Sequence, residues 1–276
     1  MSLFTIITVC YNTENDIKRT IESVLNQSYC DYEYLIVDGA SKDKTVAIAE
    51  SYRETFKEKG VQYRISSEKD TGIYNAMNKG TDMANGKWLL FLNAGDYLAD
   101  AQVLEQVRKH DCDDAAMLYG DVIYKICALY KRIPAKELDL LKYGMVFSHQ
   151  SVFIRKSVMT EYRYNESLRL GADYDFISRC YNSKEKMIHI PVTISVFELG
   201  GTSSIPMNHM LEELYIQKEN GFISEQEYIE KTAHWKRKEK FYNVRSKIEN
   251  ALPSSFVFFL RKRKYEKMGY TSADKI

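Results

Sequence analysis

The sequence has few of the features that announce a specialised class of protein. Its 276 residues include four prolines and five cysteines. Cys10, Cys30, Cys112, Cys127 and Cys180 are odd in number and never closer than 15 residues. That spacing excludes a zinc knuckle and a Cys-x-x-Cys redox pair, and it suits a reducing, cytoplasmic setting. No apolar run approaches the ~18 residues that a membrane-spanning helix needs. The first residues carry no basic stretch and no cleavage site, so no signal peptide is expected. Lys and Arg total 39 against 38 Asp and Glu, a net charge of +1, so no field of one sign draws in nucleic acid. No Gly-x-Gly-x-x-Gly follows the first apolar run, and no Gly-x4-Gly-Lys-Ser/Thr occurs anywhere, which removes the usual dinucleotide and phosphate loops. What remains is an ordinary globular composition, 45% hydrophobic and 28% charged. It is enough for one large α/β domain or two small ones, with a core that needs no disulfides.

The first hundred residues alternate between two periods. Leu3–Cys10 is β-branched and almost continuously apolar, as a strand buried on both faces requires. Thr13 to Asp16 reads as a helix N-cap with an acidic third position. Ile17, Ile21, Val24 and Leu25 then share one helical face. A strand at Tyr34–Val37, a helix over Thr45–Lys59 ended by Gly60, and a strand at Val61–Ser66 follow. A helix carrying Ile73, Ala76, Met77, Gly80 and Ala84 leads to the strand Trp88–Leu92. This alternation predicts an α/β fold with a mostly parallel sheet and right-handed crossovers. Beyond Asp96 the spacing predicts a helix at Gln102–His110 and strands near Ala116–Tyr124 and Gln150–Ile154. A helix from about Asp173 to Asn182 and a strand at Lys186–Ile190 come next. From residue 208 the chain is charge-rich and helical. The expected division is an α/β domain over 1–207 and a helical extension over 208–276.

Ligands of open parallel sheets bind beyond the carboxyl ends of the strands. There the sequence places Tyr11-Asn12-Thr13, Asp38-Gly39-Ala40-Ser41, Glu68 to Gly72, and Asn93-Ala94-Gly95-Asp96. Any one of these groups also fits a plain turn, but together they put three aspartates on one rim. With no glycine loop, phosphates there need another counter-charge, most simply a divalent metal. Asp96 in its short Gly-containing loop suits a hard cation shared with phosphate oxygens.

The runs Ile7-Thr-Val-Cys-Tyr-Asn12, Val37-Asp-Gly-Ala-Ser41, Asp70-Thr-Gly-Ile-Tyr-Asn-Ala-Met-Asn-Lys-Gly80 and Phe91-Leu-Asn-Ala-Gly-Asp96 resemble those of family 2 glycosyltransferases, which have the GT-A (Rossmann-like) fold. Ser148-His-Gln150, Gly171-Ala-Asp-Tyr-Asp175 and Gly200-Gly-Thr-Ser203 continue the pattern in order, over roughly residues 3–205. The likeness is to bacterial polysaccharide-assembly transferases, including those of colanic-acid type clusters.

The resemblance implies roles residue by residue. Thr8, Cys10 and Tyr11, with Asp38, would hold the base of a nucleotide-sugar donor, Asp38 accepting from uracil N3–H if the donor is a UDP-sugar; Asp38 also fits a turn former ahead of Gly39. Asp70, Asn75 and Lys79 would line the ribose and sugar, although Asn75, Asn78 and Lys79 equally suit a solvated helix face. Asp96 takes the last position of the metal motif for Mn2+ or Mg2+, and Asn93 stands where the earlier carboxylate is expected. Asp173 matches the catalytic base, with Ala172 where an acidic residue usually precedes it; helix N-cap is its plainer alternative. His149 and Gln150 would border the acceptor, or serve structure. Gly201 and Ser203 would belong to a loop over the diphosphate, or to a linker.

From Ser255 to Ile276, six basic residues stand against Glu266 and Asp274, directly after Phe256-Val-Phe-Phe-Leu260. That fits either a peripheral anchor on an anionic membrane, at about 1 kcal/mol per basic residue, or a segment docked on the core. The expected activity is inverting, metal-assisted transfer of a sugar to a glycan or lipid-linked saccharide acceptor in surface polysaccharide synthesis. A sugar-1-phosphate nucleotidyltransferase lacks its glycine-rich loop here. A non-catalytic sugar-nucleotide-binding module is the other alternative, prompted by Asn93 and Ala172.

Overall fold

The computed structural model describes residues 2–199, 206–251 and 254–273. One nine-stranded sheet organises the chain, in the order β3-β2-β1-β4-β8-β6-β9-β5, with β7 paired to β6 off that path. Its first half is the parallel unit that the alternating pattern predicts. β1 (Phe4–Cys10) lies between β2 (Tyr32–Asp38) and β4 (Trp88–Phe91), and β3 (Gln62–Ser67) pairs with β2, all parallel. Every residue of β1, β2 and β4 is buried, which is why these strands read as continuous apolar runs rather than alternating ones.

Side chains leave the sheet alternately, so two cores form. Phe4, Ile6, Tyr34 and Ile36 pack on one face with Ile17, Ile21 and Val24 of α1 (Ile17–Leu25) and with Phe56 of α3 (Arg53–Glu58). Ile7, Val9, Leu35 and Val37 pack on the other with Tyr74, Ala76 and Met77 of α4 (Ile73–Met83). At Gly80 of α4 an added Cβ would sit 2.7 Å from Ile7 Cγ2, so glycine lets the helix lie directly on β1.

Several boundaries differ from expectation. The predicted helix over 45–59 is two helices, α2 (Thr45–Glu50) and α3, separated at Ser51-Tyr52. Thr13 does not cap α1. Its carbonyl accepts from Asp16 and Ile17 N–H in a preceding turn, and its own N–H donates to Thr45 Oγ1 at 2.8 Å. A two-residue strand, β5 (Tyr97–Leu98), and α5 (Val103–Val107) follow β4. β6 (Met117–Ile126) forms a hairpin with β7 (Leu129–Ile133), and β8 (Val152–Arg155) inserts antiparallel between β4 and β6. α6 (Lys156–Tyr162) and α7 (Ala172–Asn182) join the α4 layer. β9 (Met187–Glu198) continues through Pro191, where the β6–β9 register shifts.

The expected start of an extension at residue 208 falls inside α8 (Pro206–Glu219), and α8 packs on the core. Leu214 and Ile216 are 4% and 1% exposed. α9 (Glu225–Ala251) and α10 (Ser254–Lys267) follow; α10 lies against β7, and Thr271 exchanges backbone hydrogen bonds with Tyr130 of β7. No helix among the described residues is long and apolar enough to cross a membrane.

Candidate active site

The carboxyl ends of β1, β2, β3 and β4 meet at one rim. Gly39 N–H donates to Cys10 O, Glu68 N–H to Asp38 O, and Ala94 N–H to Val9 O, so the four loops are tied backbone to backbone. On this rim only part of the expected base pocket faces outward. Thr8 is fully buried, its hydroxyl 3.0 Å from Tyr34 Oη. The Cys10 thiol points at Asp38 Oδ1 at 3.6 Å, and burial first, then the Asp38 charge, pushes its pKa well above the ordinary thiol range. Neither side chain is presented to a ligand. Tyr11 is, with 56% of its surface exposed.

Asp38 also has a different task from the one the resemblance implies. It is 1% exposed, and its carboxylate accepts from Ser41 N–H at 2.9 Å, Ser67 Oγ at 2.6 Å, the Ser41 hydroxyl and the Cys10 thiol. Those donors take up both oxygens and lock the turn in which Ala40 adopts φ 62°. A base N–H finds no free acceptor there. Asp70 lies across the same turn, half-buried, with Oδ1 accepting from Gly72 N–H at 3.0 Å.

Asn75 and Lys79 are engaged by neighbouring loops rather than left as a solvated face. Asn75 Nδ2 donates to Glu166 at 2.9 Å. Lys79 Nζ pairs with Glu68 at 2.9 Å and donates to Lys69 O at 3.0 Å. Asn78 is buried and fastens α4 to the segment at Tyr164 through both its amide oxygen and its nitrogen.

Asp96 is 6% exposed. Gln150 Nε2 donates to its Oδ2 at 2.9 Å and Glu198 N–H to its Oδ1 at 3.3 Å. Burial raises its pKa to about 7 against the lowering effect of those two donors and of Arg19. Gln150 is itself 6% exposed, so it backs Asp96 instead of bordering an acceptor. Arg19, on α1 with no local motif around it, donates to Gly95 O and pairs with Glu198. Lys125 reaches the same Glu198 carboxylate at 3.2 Å. Asn93 Nδ2 approaches His149 Nε2 at 3.4 Å, while Asn93 Oδ1 and His149 Nδ1 are buried without a partner among the described residues. Asn93 Oδ1, a buried amide oxygen lacking a donor, and the Asp96 carboxylate three residues on are hard oxygens of the type a divalent cation takes, although no cluster of three or more His, Cys, Asp or Glu that could hold a metal occurs among the described residues.

Asp173 is the second residue of α7 and follows the N-cap Gly171, so it is not the cap. Its Oδ1 accepts from the Tyr74 hydroxyl at 3.3 Å. Burial, reinforced by the Asp173 charge, raises the Tyr74 pKa and keeps that phenol a donor. Burial likewise lowers the His149 pKa, and the Asp173 charge opposes that shift. Asp175 faces away to Arg179 at 2.9 Å. The loop before α7 is held by Glu212 of α8, whose carboxylate accepts the N–H groups of Arg169, Leu170 and Gly171 at 2.7, 2.6 and 2.7 Å. Nothing in the local sequence marks Glu212, because its partners lie some 40 positions away. A cavity of about 370 Å³ behind α7 is lined by Asp175, Arg179, Tyr215 and Glu219 and lies apart from this rim; the Asp175 and Arg179 charges there pair with each other. Gly201 and Ser203 lie outside the described residues.

The structure therefore places Asp70 beside Tyr11 at Gly39, Asn93 beside His149, and Asp173 on the Tyr74 hydroxyl, and turns Thr8, Cys10, Asp38 and Gln150 to supporting positions. Residues 5–175 match the family described as Glycosyl transferase family 2. A PGL/p-HBAD biosynthesis glycosyltransferase of Mycobacterium bovis is 34% identical over 210 residues, which cover 73% of this chain and 79% of that relative. Among solved structures, Staphylococcus aureus TarS 1–349 in complex with UDP superposes with a TM-score of 0.62 at 17% identity, covering 92% of this chain and 76% of that one. A mannosyltransferase of Pyrobaculum calidifontis in complex with GDP-Man and Mn2+ gives 0.64 at 13% identity, covering 86% and 69%. These two likenesses concern the fold, and the fold they share is GT-A.

Proposed function

The chain belongs to glycosyl transferase family 2, and from that premise we propose that it moves a sugar from a UDP-sugar to a hydroxyl of a glycan or lipid-linked acceptor, with inversion at the anomeric carbon. The observation that carries this reading is the placement of Asp173. One of its oxygens is held by the Tyr74 phenol, and its charge acts on His149, whose ring stands 3.4 Å from the Asn93 amide in the Asn93–Asp96 loop. A donor whose diphosphate rests on that loop turns its anomeric carbon toward Asp173. The carboxylate takes the proton of the acceptor hydroxyl as its oxygen attacks, and the nucleoside diphosphate leaves from the opposite face. A single displacement of that kind inverts the centre.

Asp96 and Asn93 would hold a divalent cation. When bound, it supplies positive charge to the diphosphate oxygens as they depart. With Gln150 and Glu198 N–H already on the Asp96 carboxylate, the protein offers few ligands of its own, so cation affinity depends on nucleotide phosphates. The tyrosine face at Tyr11 supports the base, as UDP and GDP-Man complexes of the GT-A neighbours support a nucleotide-sugar donor. The relative named for PGL/p-HBAD biosynthesis supports a role in glycan synthesis, and we infer an acceptor in surface polysaccharide or glycolipid assembly. A thermal-shift screen of UDP-, GDP- and dTDP-sugars with Mn2+ tests the donor class, because a ligand that binds only the native state raises the midpoint. A rise with a UDP-sugar is the expected result; no rise with any nucleotide-sugar refutes the reading.

The end of the chain supports contact with an anionic membrane. Phe258 and Leu260 of α10 are 51% and 45% exposed, beside exposed Lys262, Arg263 and Lys264. The full chain should sediment with vesicles containing phosphatidylserine and not with neutral ones, and removal of residues 255–276 should abolish that difference while UDP binding survives. Equal sedimentation of both forms excludes the contact.

A further inference from the structure

We propose that Asp70, not Asp38, reads the base of the donor, its free carboxylate oxygen accepting the uracil N3–H over the bare backbone of Gly39. This rests on the reading that a nucleotide-sugar binds at the strand-end rim. An ideal Cβ on Gly39 would lie 2.5 Å from Asp70 Oδ2 and 3.4 Å from Tyr11 Cδ2. The carboxylate of Asp70 thus occupies the place that a side chain at position 39 would take, beside the exposed ring of Tyr11. The two oxygens of Asp70 are not equivalent. Oδ1 accepts from Gly72 N–H at 3.0 Å, and no described residue donates to Oδ2. The backbone that presents this group is fixed, since Lys79 Nζ binds Lys69 O and pairs with Glu68.

An aromatic face with one hydrogen-bond acceptor at its edge matches a single base with a single ring N–H. Stacking on Tyr11 gives affinity for any base, and the acceptor gives selection. Uracil offers one N–H, at N3, between two carbonyls. Cytosine and adenine present a lone pair at the corresponding ring nitrogen and are repelled by a carboxylate. Guanine presents two adjacent donors, N1–H and N2–H, and calls for both oxygens of a carboxylate, one of which Gly72 already holds. Asp38 cannot take this part, because four donors fill its carboxylate.

The variant Asp70→Asn separates selection from folding. Its amide oxygen keeps the bond to Gly72 N–H, and its NH2 group replaces Oδ2, turning the acceptor into a donor suited to cytosine N3. Calorimetric titration of the full-length protein with UDP and CDP in the presence of Mn2+ should show the wild type preferring UDP at least tenfold. The variant should reduce or reverse that preference, so that the UDP/CDP affinity ratio changes about a hundredfold. A variant that keeps the wild-type ratio overturns the assignment, and so does a wild type that binds GDP more tightly than UDP. N3-methyl-UDP provides the second measurement. The wild type should bind it at least tenfold more weakly than UDP, and Asp70→Ala should bind both alike; undiminished discrimination in Asp70→Ala contradicts the assignment. A wild type that binds no nucleoside diphosphate instead removes the nucleotide-sugar reading itself.

Discussion

Glu33 offers a test of how this fold divides stability from function. It lies on β2, fully buried, five residues before Asp38 and so toward the opposite end of the sheet from the rim. Its carboxylate accepts from Thr5 Oγ1 at 2.8 Å, Asn85 N–H at 2.9 Å and Asn85 Nδ2 at 3.0 Å, and it pairs with Arg64. Arg64 also donates to Met83 O at the end of α4, so this one carboxylate ties β1, β2, β3 and the α4–β4 turn. Glu33→Ala leaves the Thr5 hydroxyl and two Asn85 donors without their acceptor and Arg64 without its partner. Loss of one member of a buried ion pair costs about 3–5 kcal/mol; because the Arg64 side chain is 33% exposed and regains water, the lower end applies, about 3 kcal/mol. Glu33→Gln keeps the shape and one acceptor and should cost about 1–2 kcal/mol. Urea unfolding at pH 7 gives both values. UDP release from the donor, measured well below the midpoint, should remain near wild type per folded molecule, because the rim contacts lie at the other end of the strands. A cost below 1 kcal/mol for Glu33→Ala, or normal stability with lost turnover, refutes the division.

Two other perturbations follow from particular contacts. Glu212→Ala removes the acceptor of three consecutive N–H groups ahead of α7. It should lower turnover about tenfold or more by displacing Asp173, with UDP affinity unchanged; a fall in UDP affinity with turnover intact contradicts that positioning. Asp121, 4% exposed, has its pKa raised by burial but lowered further by Ala135 N–H, Arg132 and His189, leaving it below the ordinary 3.8. A carboxylate with a depressed folded pKa contributes stability above the unfolded value and loses it as pH falls through the folded one. The melting temperature of the wild type should therefore fall more steeply below pH 4 than that of Asp121→Asn, which should already be less stable at pH 7; parallel curves contradict the assignment.

The parallel half of the sheet was legible because its strands are buried on both faces and its helices carry one apolar stripe. The second half was not, for identifiable reasons. β7 turns back through Cys127 and Ala128, both at positive φ, where hairpin turns usually announce themselves by Asn or Gly. β9 runs on past Pro191, a residue that ordinarily ends a strand and here sits at a register shift. In the site, the positions of Asp96 and Tyr11 follow from strand ends, and Asp173, on α7, is singled out only through the family resemblance. The exchange of roles between Asp38 and Asp70 does not, because it depends on Ser41 and Ser67 converging on one carboxylate and on the distance from Asp70 to Gly39. Glu212 and Tyr74 act on Asp173 across the fold, through contacts with no local signature.

In the proposed mechanism Asp173 removes the acceptor's proton without holding the donor. Asp173→Asn preserves the acceptor of the Tyr74 hydroxyl and abolishes the base. With UDP-sugar, Mn2+ and acceptor, UDP release should drop by about 10²–10⁴, while calorimetry finds UDP affinity within about twofold of wild type. Turnover that survives the substitution, or UDP binding lost along with it, contradicts the central claim.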